Sequence, residues 1–419
     1  MIRLVYDKTV YINEGISGSI KQNKNRSFQL LLDKFPNNFV EETLEASGKE
    51  IMRYYVIEPC FVNGTFSELI NSISLQALAK LQDDQDGLNL LIYFTIEGFD
   101  LNFHRYLFVN YINSLITKYG INRNKIFFCF GDINLKESLK FNTVKLNIPD
   151  TNILGLNIFE CIAFRDSSKA SPASFLEFPL NRKKRFICKN GVSRAHRVYL
   201  AGAFYNKKLL DKFYFSWLNH TKWEYKERSP DIFYKFNNQE INIKFYRSFL
   251  EFVKKEPYIL DITSEEATDR INQKYINTKL YNDSYASLVT ETVVDENNKG
   301  VLFISEKTYK PIDNLHPFIN VGGPGILKLL RDDGYATFPE LFDESYDEIK
   351  NCSDRIKQII TEVEKFCNKD SKVLDDIYSS KTFQDKLLHN FNNLRERKGT
   401  EQIKKLINWL ERRDTFTLV

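Results

Sequence analysis

The chain has 419 residues, 42% of them hydrophobic and 27% charged, with a formal net charge of +4. That apolar content builds full cores and the length suits two domains of ordinary size, which excludes a wholly disordered chain. A charge so near neutral makes no case by itself for a nucleic-acid or membrane partner, and no apolar run approaches the ~20 residues that span a bilayer.

The opening residues, Met1 to Tyr6, read as a first strand and not as a signal peptide. Cysteines 60, 129, 161, 188, 352 and 367 are scattered, with no CxxC pair, which points to reduced, buried thiols in a cytoplasmic protein. Arg53–Ile57 is a short apolar strand. Residues 88–96 form an apolar run rich in branched and aromatic side chains, as a buried parallel strand requires. Helical spacing follows over 103–119, another buried strand over 125–130, and one more over 154–159. Strands separated by helical crossovers predict a parallel sheet with helices on its faces.

A polar stretch at 165–184 ends in the basic run 182–185 and marks a boundary. The pattern then restarts with a strand at 185–188, a turn containing Gly191, and a helix at 194–204 with Ser193 as its N-cap. Further strands are expected at 213–218, 287–290 and 317–321. A helix begins near Glu306, and Gly322, Gly323, Pro324 and Gly325 lead into a helix at 326–332. From Tyr346 onward the chain is almost all helix. The expected fold is α/β: two Rossmann-like domains facing a cleft, as in the GT-B architecture, with a helical C-terminal tail. Their expected bounds are 1–165, 185–345 and 346–419. Ligands belong at the carboxyl ends of the strands.

The most informative segment runs from Ser287 to Gly325. It holds Ser305-Glu306-Lys307-Thr308-Tyr309-Lys310-Pro311-Ile312, then His316-Pro317-Phe318, then Gly322. A nucleotide-sugar site needs a carboxylate for ribose hydroxyls, cations for the diphosphate, and a helix N-terminus for the anion. Glu306 and Lys307 at a helix start supply all three. The Gly191 turn opening a basic helix with Arg194 and Arg197 is a second anion cradle. Glu291, ending an apolar strand, is a further donor-side candidate. Gly322 and Gly323 are turn residues that can also let backbone N–H groups approach a ligand. His316 before Pro317 is read as strand entry or as a phosphate contact.

The Glu306-Lys307 pair, with the apolar strand and Gly322 after it, resembles the donor signature of the α1,3-fucosyltransferase family. The same stretch resembles a group of phage and bacterial glycosyltransferase-like proteins that share Glu-Lys-Thr-Tyr/Phe-Lys-Pro-Ile and His-Pro-Phe. The resemblance implies that Glu306 binds ribose, Lys307 binds phosphate, and an arginine of the 194–197 region binds the diphosphate. It does not extend to 287–290, where those enzymes carry a Phe-Glu-Asn-Ser-type segment, or to the N-terminal half.

An inverting transfer also needs a base beside the acceptor hydroxyl. Glu97 directly follows the 88–96 strand and is the residue chosen, with Asp100, His104 and Asp132 nearby. Asp83, Asp84 and Asp86 precede their strand, whereas a metal-binding Asp-x-Asp follows one, so no metal site and no cofactor beyond the donor substrate is expected. The partners expected are a nucleotide-sugar and a glycan, lipid or modified-DNA acceptor. The DNA alternative draws on lysines and aromatics interleaved over 207–226 and 244–255. A non-catalytic interaction module of the same fold is the remaining alternative.

Overall fold

The computed structural model describes residues 2–6, 37–44, 53–57, 73–94, 101–140, 146–160, 178–218, 224–238, 240–261, 277–296, 298, 300–397 and 400–411. They form two compact α/β units. The first comprises Met1–Ile158 together with Thr400–Val419, the second Phe159–Gly399. The stretch expected as a separate extension, 346–419, is thus divided between the two.

The first unit holds a parallel sheet of β1 (Ile2–Tyr6), β2 (Phe39–Thr43), β3 (Arg53–Ile57), β4 (Leu88–Phe94), β5 (Ile126–Phe130) and β6 (Ile153–Gly155), in the order β2-β1-β3-β4-β5-β6. Every residue of β3 and β5 is buried, so β5 reads as an unbroken apolar run and β3 as one apart from Arg53, which is paired with Asp86. Ser74 caps the helix Leu75–Gln82 by accepting from the Ala77 N–H at 3.1 Å. The Lys125 ammonium donates to the carbonyls of Lys80 and Asp83 at the other end of that helix. Asp132 accepts from the Asn134 N–H, so it shapes the turn after β5. The last described helix, Thr400–Glu411, belongs here: Tyr54 donates to the Leu410 carbonyl at 2.8 Å, and Trp409 packs edge-on against Phe127.

The second unit holds β7 (Lys184–Asn190), β8 (Phe213–Trp217), β9 (Ser284–Thr290) and β10 (Phe318–Val321), all parallel, in the order β10-β9-β7-β8. The helix Ala195–Asn206 is packed by the helices Glu224–Lys235 and Ile243–Val253. Phe249 and Phe252, three residues apart on the last of these, are buried against Trp217 and Phe233. Trp217, Phe249 and Phe252, which fall in the stretches expected as a possible stacking groove, therefore belong to the core. The helices Cys352–Asn368, Ser371–Ser379 and Lys381–Arg397 complete the unit, with Phe366 seated on Phe186 at 4.9 Å between ring centres. No described helix is long and apolar enough to cross a membrane.

Candidate functional site

In the second unit the chain runs from β7 outward to β8, then returns to the other side of β7 as β9 and continues to β10. The carboxyl ends of β7 and β9 therefore face a point where the connections diverge, and backbone groups there are not covered by a crossover. The residues singled out at 194, 197, 291, 306 and 307 all follow these two strands or sit on the helix that β9 leads to.

After β7 the chain turns through Gly191 and enters the helix Ala195–Asn206. The N-cap is Arg194, in extended conformation at φ −131° and ψ 155°, with no side-chain cap; Ser193, expected as the cap, is buried one residue earlier. Arg194 and Ala195 are partly exposed, whereas Ser193, His196 and Arg197 on either side of them are buried.

Arg197 is different. It is 4% exposed and its guanidinium faces inward. Nη1 donates to the Val192 carbonyl at 2.8 Å, and Nη2 donates to the carbonyls of Thr290 at 2.8 Å and Glu291 at 3.2 Å. Burial and then the like charge of Arg194 lower its pKa to about 10, which leaves it cationic at neutral pH. His196, also buried, makes a 3.0 Å bond from Nε2 to the Glu291 carbonyl. A carbonyl only accepts, so Nε2 carries the proton. Burial, followed by the charges of Arg197, Arg194 and Lys307, pushes His196 well below its ordinary range and keeps it neutral. The two arginines thus differ in geometry: Arg194 is partly exposed, and Arg197 is buried and ties the β7 turn to the end of β9.

Glu291 also turns inward. It is fully buried, and its carboxylate accepts from the Ser305 N–H at 3.2 Å on each oxygen, from the Ser305 hydroxyl, and from the Thr308 hydroxyl at 2.6 Å. It serves the N-terminus of the helix Glu306–Asp313 from within, and its oxygens are filled by the protein. The donor-contacting role expected for Glu291 is corrected accordingly.

Ser305 is the N-cap of that helix and accepts from the Lys307 N–H at 3.3 Å. The next two side chains reach the surface, with Glu306 33% and Lys307 29% exposed. The Lys307 ammonium lies 3.2 Å from the Glu306 carboxylate and 3.3 Å from the hydroxyls of Thr292 and Ser305. Burial disfavours ionisation of Glu306, but Lys307, Lys310 and the helix-start N–H outweigh it and hold the carboxyl at about 2, against an ordinary 4.5. A depressed folded pKa means stability that is present above the unfolded value and is lost as pH falls. The unfolding midpoint of Glu306→Gln, scanned from pH 6 to pH 2, is therefore expected to fall less steeply than that of the wild type below about pH 4.5. Parallel curves would contradict the assignment.

Gly322 and Gly323 are packing residues. A Cβ on Gly322 would lie 2.2 Å from the Ile326 side chain, and one on Gly323 would lie 2.3 Å from the Val301 carbonyl oxygen. The helix Ile326–Asp332 that follows is already capped: the Asp347 carboxylate accepts from the N–H groups of Leu327 and Lys328, both at 3.0 Å. An internal anion occupies the helix start that the glycine turn suggested for a ligand. His316 is at the opposite end of the sheet. Its Nδ1 meets the Ser287 hydroxyl at 2.8 Å and its Nε2 the Ser284 carbonyl at 2.7 Å, and burial foremost lowers its pKa to about 3. It is buried and tied to the start of β9, in keeping with strand entry.

Glu97 and Asp100 lie outside the described residues, as does the side chain of His104. Among the described residues, no group of three His, Cys, Asp or Glu side chains could hold a metal ion. The sequence reading missed Ser305, Thr308, Asn320, Asp347 and Arg355, which hold the site without facing it. Only Ser305, directly before an acidic helix start, carried a cap signal. Comparisons with protein-family models and with curated proteins find no match to the chain, so the resemblance of the Glu306–Gly322 stretch rests on those residues alone.

Proposed function

We propose that the second unit binds a nucleotide-sugar and that the protein is a GT-B-type glycosyltransferase, metal-independent and inverting. The observation that carries this reading is that two helix starts, one bearing the partly exposed Arg194 and the other the partly exposed Glu306 and Lys307, follow the carboxyl ends of the neighbouring strands β7 and β9. Two cations at neighbouring helix starts suit a diphosphate, and the ionised Glu306 carboxylate beside Lys307 suits ribose hydroxyls. Transfer is a single displacement. The acceptor oxygen attacks the anomeric carbon as the bond to the diphosphate breaks, and the acceptor proton passes to a base. Glu97 is the base proposed. Arg194 and Lys307 stabilise the charge that develops on the leaving diphosphate, which is the task a divalent ion performs in metal-dependent transferases.

A thermal-shift panel of UDP, GDP, CMP and their sugars tests the reading. One nucleoside diphosphate at ~100 times its Kd adds about 2.7 kcal/mol, on the order of 5 °C in melting temperature. The shift is expected to persist in EDTA. No shift with any member of the panel would remove the donor-binding reading and leave an interaction module.

A further inference from the structure

Arg194 and Lys307 carry like charges, and each stands at the tip of a short structural element. Left alone, two such tips repel each other and drift. The residues beneath them form a continuous buried set of bonds that meets at Glu291. From the β7 side, Arg197 joins the Val192 carbonyl to the carbonyls of Thr290 and Glu291, and His196 adds a second bond to the Glu291 carbonyl. From the other side, the Glu291 carboxylate holds the Ser305 N–H, the Ser305 hydroxyl and the Thr308 hydroxyl. Thr308 in turn accepts from Asn320 Nδ2 at 2.6 Å, which fixes its hydroxyl toward Glu291 from β10. The Ser305 hydroxyl then meets both the Lys307 N–H and its ammonium at 3.3 Å.

We infer that Glu291 is a positioning residue that couples the two tips: its backbone carbonyl anchors the Arg194 turn and its carboxylate anchors the Glu306-Lys307 tip. The identity of the ligand rests on the nucleotide-sugar reading, but the coupling does not. Glu291 is buried with its oxygens filled, so it acts through other groups and not by touching the ligand. Its negative charge offsets Arg197 beneath the two surface cations, which lets a rigid cationic pair persist before any anion arrives. Pre-organisation of that kind removes the penalty of assembling the pair on binding. The hydroxyl at 308 is the adjustable link: serine retains the donor and valine keeps the shape without it.

Amide hydrogen exchange on the full chain tests the coupling without any ligand. Glu291→Gln is expected to speed exchange about tenfold or more over both 303–309 and 191–197, relative to the rest of the second unit. Thr308→Val is expected to do the same to a lesser degree, on the order of threefold, and Thr308→Ser to restore wild-type protection. Arg182→Met is the control, because it removes guanidinium bonds to the Tyr281 and Ser284 carbonyls at the far end of β9. That loss is expected to lower stability without singling out either segment. Faster exchange confined to 303–309 would overturn the inference and leave Glu291 as a helix cap only. Should Glu291→Gln not fold, the valine and serine pair at 308 decides by the same criterion.

A titration with the nucleoside diphosphate that scores best in the panel supplies the functional arm. Thr308→Val is expected to weaken binding about tenfold, equivalent to ~1.4 kcal/mol, with Thr308→Ser close to wild type. If the wild type binds no nucleoside diphosphate, the transferase reading fails while exchange still decides the coupling. If it binds one and Thr308→Val binds equally well, the coupling has no bearing on ligand affinity and the inference falls.

Discussion

Lys307→Ala is expected to lower the rate of sugar transfer on the order of 10², with little change in stability. The ammonium is near the surface, so its removal leaves no buried group unpaired. Its hydroxyl contacts at 3.3 Å are long, and its pairing with Glu306 is solvent-screened. The folded state is therefore expected to lose less than about 1 kcal/mol. The transition state is another matter. As the glycosidic bond breaks, negative charge grows on the diphosphate, and an ammonium fixed at a helix start stabilises it without reorganising. With no metal in the proposed mechanism, each cation carries a large share of that stabilisation. Lys328→Ala is the charge-matched control, because Lys328 is exposed and paired with Asp332 on another helix. A rate unchanged in Lys307→Ala, with the nucleotide still bound, would place the diphosphate elsewhere.

Much of the fold was legible because parallel strands covered on both faces must be apolar along their whole length. The strand ending at Phe130 shows this, and so does Arg53–Ile57 beyond its first residue; both emerge within a residue of expectation. β2 escaped because Phe39–Thr43 is at the edge of its sheet and carries Glu41 and Glu42, with Glu42 paired to Arg3 across to β1. A strand paired on one side tolerates such charges, and its sequence loses the apolar run. The helix Ile243–Val253 was hidden by Lys244, Arg247 and Glu251, which interrupt it, although Phe245, Phe249 and Phe252 repeat at helical spacing.

The candidate site was legible in its exposed parts and misleading in its buried ones. Glu306 and Lys307 stand at a helix start as local sequence implied. Arg194 and Arg197 looked interchangeable because three residues separate them, but Arg194 is outside the helix in extended backbone, so helical spacing does not relate their directions. Glu291 looked ligand-facing because it ends an apolar strand. Its partners Ser305 and Thr308 come 14 and 17 residues later, and no local pattern reports which way a carboxylate turns when its acceptors are filled by distant chain.

Arg355→Met is expected to destabilise the second unit by about 3–5 kcal/mol, the largest stability effect anticipated here. Arg355 is 1% exposed on the helix Cys352–Asn368. Nε donates to the Gly322 carbonyl at 3.0 Å, Nη1 to the carbonyls of Ile349 at 2.8 Å and Lys350 at 3.1 Å, and Nη2 to the Val294 carbonyl. Methionine fills much of the volume but donates nothing. Carbonyls that water cannot reach then lose their partners, at ~1–3 kcal/mol for each that stays dry. Lysine at this position is expected to recover only part of the loss, since a point ammonium cannot span four carbonyls as a planar fork does. Urea unfolding followed by fluorescence measures both variants, and a loss under about 1 kcal/mol in Arg355→Met would mean that water enters and replaces the bonds. The contrast with Lys307 separates the two layers of the site. Val294 and Gly322 follow the strands β9 and β10, so the buried guanidinium fixes where those strand ends emerge, while the partly exposed ammonium is the group proposed to meet the ligand. Substituting the first should lower stability with the site otherwise unchanged in its exposed groups, and substituting the second should leave stability nearly unchanged with the proposed chemistry impaired.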